Sequence, residues 1–216
     1  MHWICSTCGT QQEDTPQPPR RCPICDDSRQ YVGWEGQHWT TLDGLRTRHR
    51  NAIREEEPGV WSIVTEPTFG IGQRAFLVRT SEGNILWDCI SLLDDGTVRA
   101  VRDLGGIDVM AISHPHYYSS MIEWSEAFGG VPIWIHEAER EWVRRRSDAV
   151  RFWTGDTHGL PGGATLIRGG GTSTDTRRCT TQASFSPATS RRWPWTAAGR
   201  VSYTATRTWC RWEPRR

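Results

Sequence analysis

Apolar and polar positions along this chain change period several times, and each change marks an element. Arg74-Ala75-Phe76-Leu77-Val78-Arg79 and Asn84-Ile85-Leu86-Trp87-Asp88-Cys89 are short apolar runs flanking Ser81-Glu82-Gly83-Asn84. That arrangement predicts two strands joined by a hairpin turn. A third run, Ile107 to Ile112, ends abruptly in Ser113-His114-Pro115-His116, and a fourth is Val131-Pro132-Ile133-Trp134-Ile135-His136. Asp94-Asp95-Gly96 reads as a turn before a short helix or connector over 97–104. In the stretch Ser119 to Phe128, Met121, Ile122, Trp124 and Phe128 can share one helical face, with Gly129-Gly130 as the stop. Glu137 to Arg146 reads as another helix, with Arg144-Arg145-Arg146 as its solvated, cationic end. The polar stretch from Gln37 to Pro58 predicts a connecting helix that starts at Thr41 or Asp43 and runs to about Glu57. Strands alternating with helices indicate an α/β layered fold.

Composition narrows the setting. The net charge of +1 gives no case for nucleic acid or an anionic membrane as partner. No apolar run approaches the ~20 residues that span a bilayer. The start, Met1-His2-Trp3-Ile4-Cys5, has neither the basic nor the apolar part of a signal peptide. These features predict a cytoplasmic protein, in which paired cysteines hold metal rather than form disulfides. Every one of the 26 basic residues is Arg, which fits a GC-rich coding sequence better than a functional demand.

Cys5-Ser6-Thr7-Cys8 and Cys22-Pro23-Ile24-Cys25 are two C-x2-C pairs with thirteen residues between them. Each pair can form a tight knuckle whose backbone N–H groups point at sulfur, and four thiolates close a tetrahedral site. A module as small as 1–35 needs such a staple to fold. It resembles zinc ribbons and rubredoxin-like knuckles. Zinc would be structural there and iron would permit electron transfer; structural zinc is the expectation. Trp3, Tyr31 and Trp34 are expected to cover the knuckles.

His114 and His116 are the second candidate ligand set. Side chains at i and i+2 of an extended backbone point the same way, so the two imidazoles can converge beyond a strand end. The bland reading of His-Pro-His is a polar turn. Its context resembles the opening of metallo-β-lactamase-fold hydrolases: Thr65 to Gln73, a hairpin whose second strand ends in Asp88, a helix, a buried strand with H-x-H, and then Val131 to His136. The resemblance covers about Trp61 to Gly171. It implies a metal-dependent hydrolase in which two similar halves pack face to face with the metal at the seam. Tyr118 and Ser119 stand where the family's H-x-H-x-D-H has its Asp and last His, so only the first-metal half survives. A single zinc or other divalent ion would then need a further ligand. Asp156 and His158, in a Gly-rich loop, are weaker candidates. Asp88 is expected to order backbone and His136 to cap or pack. Tyr117 and Tyr118 are expected either to line a substrate pocket or to pack in the core.

At Gly171 the pattern fails. Residues 172–216 hold ten Thr, nine Arg and four Trp, one Val, and no Leu, Ile, Met or His. Such a stretch cannot bury a half-domain. The genetic code offers an explanation. Shifted by one base, Thr codons become His, Tyr, Asn or Asp codons, and CG-type Arg codons become Ala, Pro, Ser or Thr codons. Residues 172–176 can then read H-F-H-G-H, 179–182 L-H-H-P, 184–189 E-L-L-S-G-D and 207–212 P-D-L-V-P-L. A His-rich turn and an L-x-G-D strand end resemble the family's later ligands. A one-base frameshift near codons 169–172 is the reading adopted; the alternative is a genuine Arg/Thr-rich tail.

The expected organisation is a four-cysteine module over 1–35, a linker over 36–60, an incomplete metallo-β-lactamase-like α/β sandwich over 61–171 and an irregular tail over 172–216. The expected site residues are Cys5, Cys8, Cys22 and Cys25 for structural zinc, with His114 and His116 as a residual catalytic half-site. The expected function is a metal-dependent hydrolase acting on a small molecule, inactive or weak in this chain. The alternative is a non-enzymatic binding protein whose ribbon and tail, with Trp193, Trp195, Trp209 and Trp212 among arginines, contact nucleic acid or protein.

Overall fold

The structure is a computed structural model that describes residues 1–26 and 36–169 in full and only the backbone of 180–185 and 201–203. Its elements are β1 (His2–Cys5), β2 (Gln11–Asp14), β3 (Trp39–Thr40), α1 (Leu42–Arg46), β4 (Arg50–Glu57), β5 (Val60–Glu66), β6 (Arg74–Thr80), β7 (Gly83–Trp87), α2 (Asp95–Asp103), β8 (Val109–Ala111), α3 (Met121–Ala127), β9 (Ile133–His136), β10 (Val150–Trp153), β11 (Thr157–Gly159), β12 (Thr165–Gly169), β13 (Thr180–Phe185) and β14 (Val201–Tyr203). They form a three-stranded sheet β2-β1-β3, a seven-stranded sheet β10-β9-β8-β7-β6-β5-β4 and a four-stranded sheet β11-β12-β13-β14.

In the large sheet β4 to β7 pair antiparallel as a meander, whereas β7 to β10 pair parallel. Parallel strands need long crossovers, which α2 and α3 supply. Alternation along β7 and β8 explains why both read as continuous apolar runs. Leu86, Met110 and Ile112 join a core with Val101 of α2 and Met121, Ile122 and Trp124 of α3. Ile85, Trp87, Val109 and Ala111 face the other way, onto Leu160, Ala164 and Leu166 beside the small sheet. A strand covered on both faces loses its polar alternation. The layers are therefore helices, mixed sheet and second sheet.

Three expected elements differ. The helix capped at Thr41 exists, and Thr41 Oγ1 accepts from Gly44 N at 3.1 Å, but it ends at Arg46. Arg50–Glu57 is not its continuation through a linker; it is the outermost strand of the large sheet, so that sheet begins at Arg50 rather than near Trp61. Its two Arg and three Glu suit an edge strand, where charge discourages further pairing. Glu137–Trp142 is a 3-10 turn rather than a helix reaching Arg146. Arg145 is no solvated helix end: its side chain is 14% exposed, and it pairs with Glu123 at 2.5 Å and with Gln11 of the N-terminal module. Of the stretch expected to be irregular, β13 pairs onto β12 and β14 onto β13; the remainder lies outside the described residues.

The N-terminal module packs closely on the large sheet. Ile4 of β1 meets Leu45 of α1 and Leu92, with Leu42 and Phe69 against them. The cysteine cluster is flanked by Trp39 and Trp142. Trp3 donates instead to Thr15 O at 3.2 Å, and Tyr31 and Trp34 lie outside the described residues.

Candidate functional site

The four cysteines meet at one point. Cys5 closes β1, the turn to β2 carries Cys8, and a second turn carries Cys22 and Cys25. All four sulfurs lie within 4.8 Å of one another and all are buried. The Cys5–Cys25 and Cys8–Cys22 sulfur pairs are each 3.7 Å apart. A tetrahedron of sulfurs about 2.3 Å from a central zinc has edges of about 3.8 Å, so the donor set fits a metal of that size. The spacing is far from the about 2.05 Å of a disulfide.

Several groups already point at the sulfurs. Cys8 N lies 3.4 Å from Cys5 Sγ, Gln37 Nε2 3.1 Å from Cys5 Sγ and Gln12 Nε2 3.9 Å from Cys22 Sγ. Donors of this kind favour thiolate over thiol. Hydrogen bonds from Cys22, Cys25 and Cys8 hold the Cys5 thiol well below its ordinary value. Gln12 and Gln37 carry no motif, and sequence reading passed over them.

His114 and His116 also come together, though not along an extended strand. β8 ends at Ala111. His114 is extended and caps a 3-10 turn over Pro115–Tyr117, its Nδ1 accepting from His116 N at 3.3 Å. The turn brings His114 Nδ1 and His116 Nδ1 to 3.0 Å, with ring planes 11° apart and centroids 4.9 Å apart. Two nitrogens on one metal at about 2.05 Å would be about 3.3 Å apart in a tetrahedron, close to the spacing seen, but the one lone pair of His114 Nδ1 already accepts the His116 N–H, so binding metal through that atom would require the cap to open. Among the described residues the four cysteines are the one group of three or more metal-capable side chains. No third ligand therefore stands beside His114 and His116 there.

The other candidates have structural roles. Asp88 sits at φ 61° beyond β7, fully buried, and its Oδ1 accepts from Ser113 N at 2.8 Å. Burial raises its pKa to about 7, against the opposing effect of that hydrogen bond. His136 Nδ1 accepts from Ala138 N at 3.1 Å, and its ring packs edge-on to Trp153. His158 lies 4.2 Å from the Trp134 ring, where desolvation lowers its pKa. Asp156 is exposed. Tyr117 and Tyr118 are both buried in the helix-side core.

Sequence reading also missed Gln73, which lies between the two candidate sites. Its Nε2 is 3.0 Å from Cys8 O, 2.5 Å from His116 O and 2.6 Å from Ser119 Oγ. Its Oε1 accepts from Ser91 N at 3.2 Å, and the single Ser91 hydroxyl hydrogen lies between Oε1 and Gly9 O, each 2.8 Å from Ser91 Oγ. A glutamine before a strand carries no signature, and only the tertiary contacts reveal it.

Among described residues no helix is long and apolar enough to cross a membrane. No family model matches the chain. An uncharacterized protein of Bacillus subtilis (strain 168), YmaE, is 47% identical over 172 residues, which is 79% of this chain and 62% of YmaE. The chain thus spans less than two thirds of that relative's length. Among solved structures, a Cronobacter sakazakii metallo-β-lactamase with a HARLDQ motif is 19% identical with a TM-score of 0.44, covering 61% of this chain and 58% of its own. A Pontibacter korlensis metallo-β-lactamase is 19% identical with a TM-score of 0.45, covering 63% and 67%. The DIM-1 metallo-β-lactamase is 12% identical with a TM-score of 0.48, covering 62% and 64%. These three solved structures, to which the chain is similar, are metallo-β-lactamases.

Proposed function

We propose that this chain is a metal-dependent hydrolase of the metallo-β-lactamase fold, joined to a structural zinc module and impaired by loss of its later ligands. The observation that carries this reading is the His114–His116 pair, held 3.0 Å apart just beyond β8 in the parallel half of the sheet. A metal bound there would supply an acidified water and polarise the scissile bond. The chain's own residues prepare the position. Asp88 pins Ser113 beside the strand end, and His114 caps the turn that carries His116. The small-molecule substrate classes to assay are esters, thioesters and phosphodiesters.

The four-cysteine site is assigned to zinc. Its thiolate-only donors, near-tetrahedral spacing and burial suit a closed structural centre. Sulfurs gathered without disulfide spacing support a reducing, cytoplasmic setting.

The impairment is assigned to a one-base frameshift near codons 169–172. Its support is the loss of apolar pattern after Gly171. The test is to resequence the coding DNA from codon 165 onward and to express the chain both as it stands and with the frame restored. The restored chain should hydrolyse one of these substrate classes, with His114→Ala abolishing turnover. Equal and His114-dependent activity in the chain as it stands would contradict the impairment.

One observation favours a second reading, a non-enzymatic binding protein. A groove of about 870 Å³ runs between the N-terminal module and the segment carrying Arg140, Arg144, Arg145 and Arg146. Under that reading, binding of nucleic acid weakens steeply with salt and is lost when residues 172–216 are deleted.

A further inference from the structure

We infer that Gln73 is a positioning residue that couples metal loading of the four-cysteine site to the conformation of the His114–His116 turn. The inference deepens the proposed reading of the histidine pair, but its test reads the shape of the turn and not hydrolysis.

Gln73 is 5% exposed and has a partner on every side. The orientation of its amide is determined by chemistry. Two carbonyls, Cys8 O and His116 O, face Nε2, whereas the Ser91 N–H faces Oε1. A flipped amide would set oxygen against two carbonyls and nitrogen against an N–H. One side chain thus joins the carbonyl of a cysteine ligand to the carbonyl of a histidine in the second candidate site.

Two further links run in parallel. Ser91 Oγ lies 2.8 Å from Gly9 O, its one hydrogen shared between that carbonyl and Gln73 Oε1, while Gln11 N donates to Ser119 O at 3.2 Å. Ser119 sits at φ 40°, a left-handed conformation for a residue with a side chain. Such backbone persists where surroundings over-determine it. Here those surroundings include Gln11, Gln73 and Cys89 O, the last 3.3 Å from Ser119 Oγ. The knuckle itself approaches too closely for any side chain. A Cβ at Gly9 (φ 79°) would lie 2.3 Å from Ser91 Oγ and 2.7 Å from Gln73 Oε1.

The consequence is mechanical. Cys8 and Gly9 hold their places because Cys5 and Cys8 are drawn to a common centre. With metal removed, like-charged thiolates or bulkier thiols replace that centre and the knuckle relaxes. Gln73 then loses an acceptor and Ser91 loses Gly9 O. The remaining partners of the Gln73 amide are His116 O and Ser119 Oγ, so a shift of that amide loosens the restraints that set the ring positions of the turn.

The test uses full-length protein labelled uniformly with 15N, loaded with zinc and then stripped with a chelator. The ring resonances of His114 and His116 are followed by NMR, with His158 on the second sheet as reference. In the unsubstituted chain, stripping should shift the His114 and His116 signals, leave His158 in place, and raise amide exchange over 116–120 by at least about tenfold. Gln73→Glu is isosteric; it replaces the amide donors by a carboxyl oxygen facing two carbonyls and, when ionised, adds a negative charge. It should retain one tight zinc yet show His114 and His116 already displaced. Should that variant not fold, Gly9→Ala keeps every cysteine and Gln73 and should displace the same signals. Turn signals insensitive to stripping overturn the inference. So does a His158 shift as large as that of His114, because the metal would then hold the whole fold. Gln73→Glu signals at the unsubstituted positions overturn it as well. Since turnover is not read, a chain without hydrolase activity can still pass or fail.

Discussion

The Asp88 carboxylate accepts the Ser113 N–H at 2.8 Å, tying the end of β7 to the residue before His114. This bond spans two neighbouring parallel strands at their carboxyl ends, where the histidine turn departs. It sets the backbone from which His114 caps its turn, and it does so from a fully buried acid.

That burial has a pH signature. The folded pKa of Asp88, about 7, lies above the ordinary value of 3.8. The folded state therefore binds the proton more tightly, and the associated stability is complete below about pH 4 and lost as pH rises through 7. Asn at this position keeps an acceptor for Ser113 N, tolerates φ 61° and carries no charge. Asp88→Asn should be more stable than the unsubstituted chain at pH 8, by at most about 4 kcal/mol, with the difference vanishing near pH 4. Urea unfolding at both pH values measures it; a pH-independent difference would contradict the assignment.

Arg145 ties the module to the body of the protein. It pairs with Glu123 in a site where the two side chains are 14% and 19% exposed, and it also reaches Gln11 and His2. Removing one partner strands the other charge. Arg145→Met should cost about 2–3 kcal/mol, and adding Glu123→Gln should recover part of the loss. A double-mutant cycle by denaturant unfolding checks the sign of the coupling.

Gly162 sits at φ 67°, where a Cβ would lie 2.3 Å from Thr80 Cβ and Oγ1. Its N–H donates to Glu82 Oε2 at 3.0 Å, joining the loop before β12 to the β6–β7 hairpin. Gly162→Ala must move one of these segments and should cost about 2–3 kcal/mol. Thermal unfolding should show a fall in Tm of about 5–10 °C; an unchanged Tm would mean the two segments do not pack as described.

Legibility followed burial. The hairpin of β6 and β7, the buried β8 and the apolar face of α3 were readable because each is covered on a side with a regular period. The four cysteines were readable because ligand spacing survives in one dimension. β4 was not, since an edge strand of Arg and Glu has the composition of a solvated helix and gains its pairing only from β5. The histidine pair was found for a reason that needed correction: a 3-10 turn capped by His114, not strand alternation, brings the rings together. Arg145 read as solvent-facing because nothing local reveals that Glu123 and Gln11 lie across from it. Gln73 was invisible because its partners, Cys8, Ser91, His116 and Ser119, are dispersed along the chain.

The claim that most needs testing is that the four cysteines form a complete metal site while His114 and His116 form half of one. Metal content of the purified full-length chain, measured after exhaustive dialysis against a weak chelator, addresses both at once. The expected result is one tightly held zinc per chain, lost in Cys22→Ser and retained in His114→Ala. Two tightly held metals, one of them lost in His114→Ala, would contradict the half-site, and none in the unsubstituted chain would contradict the four-cysteine site.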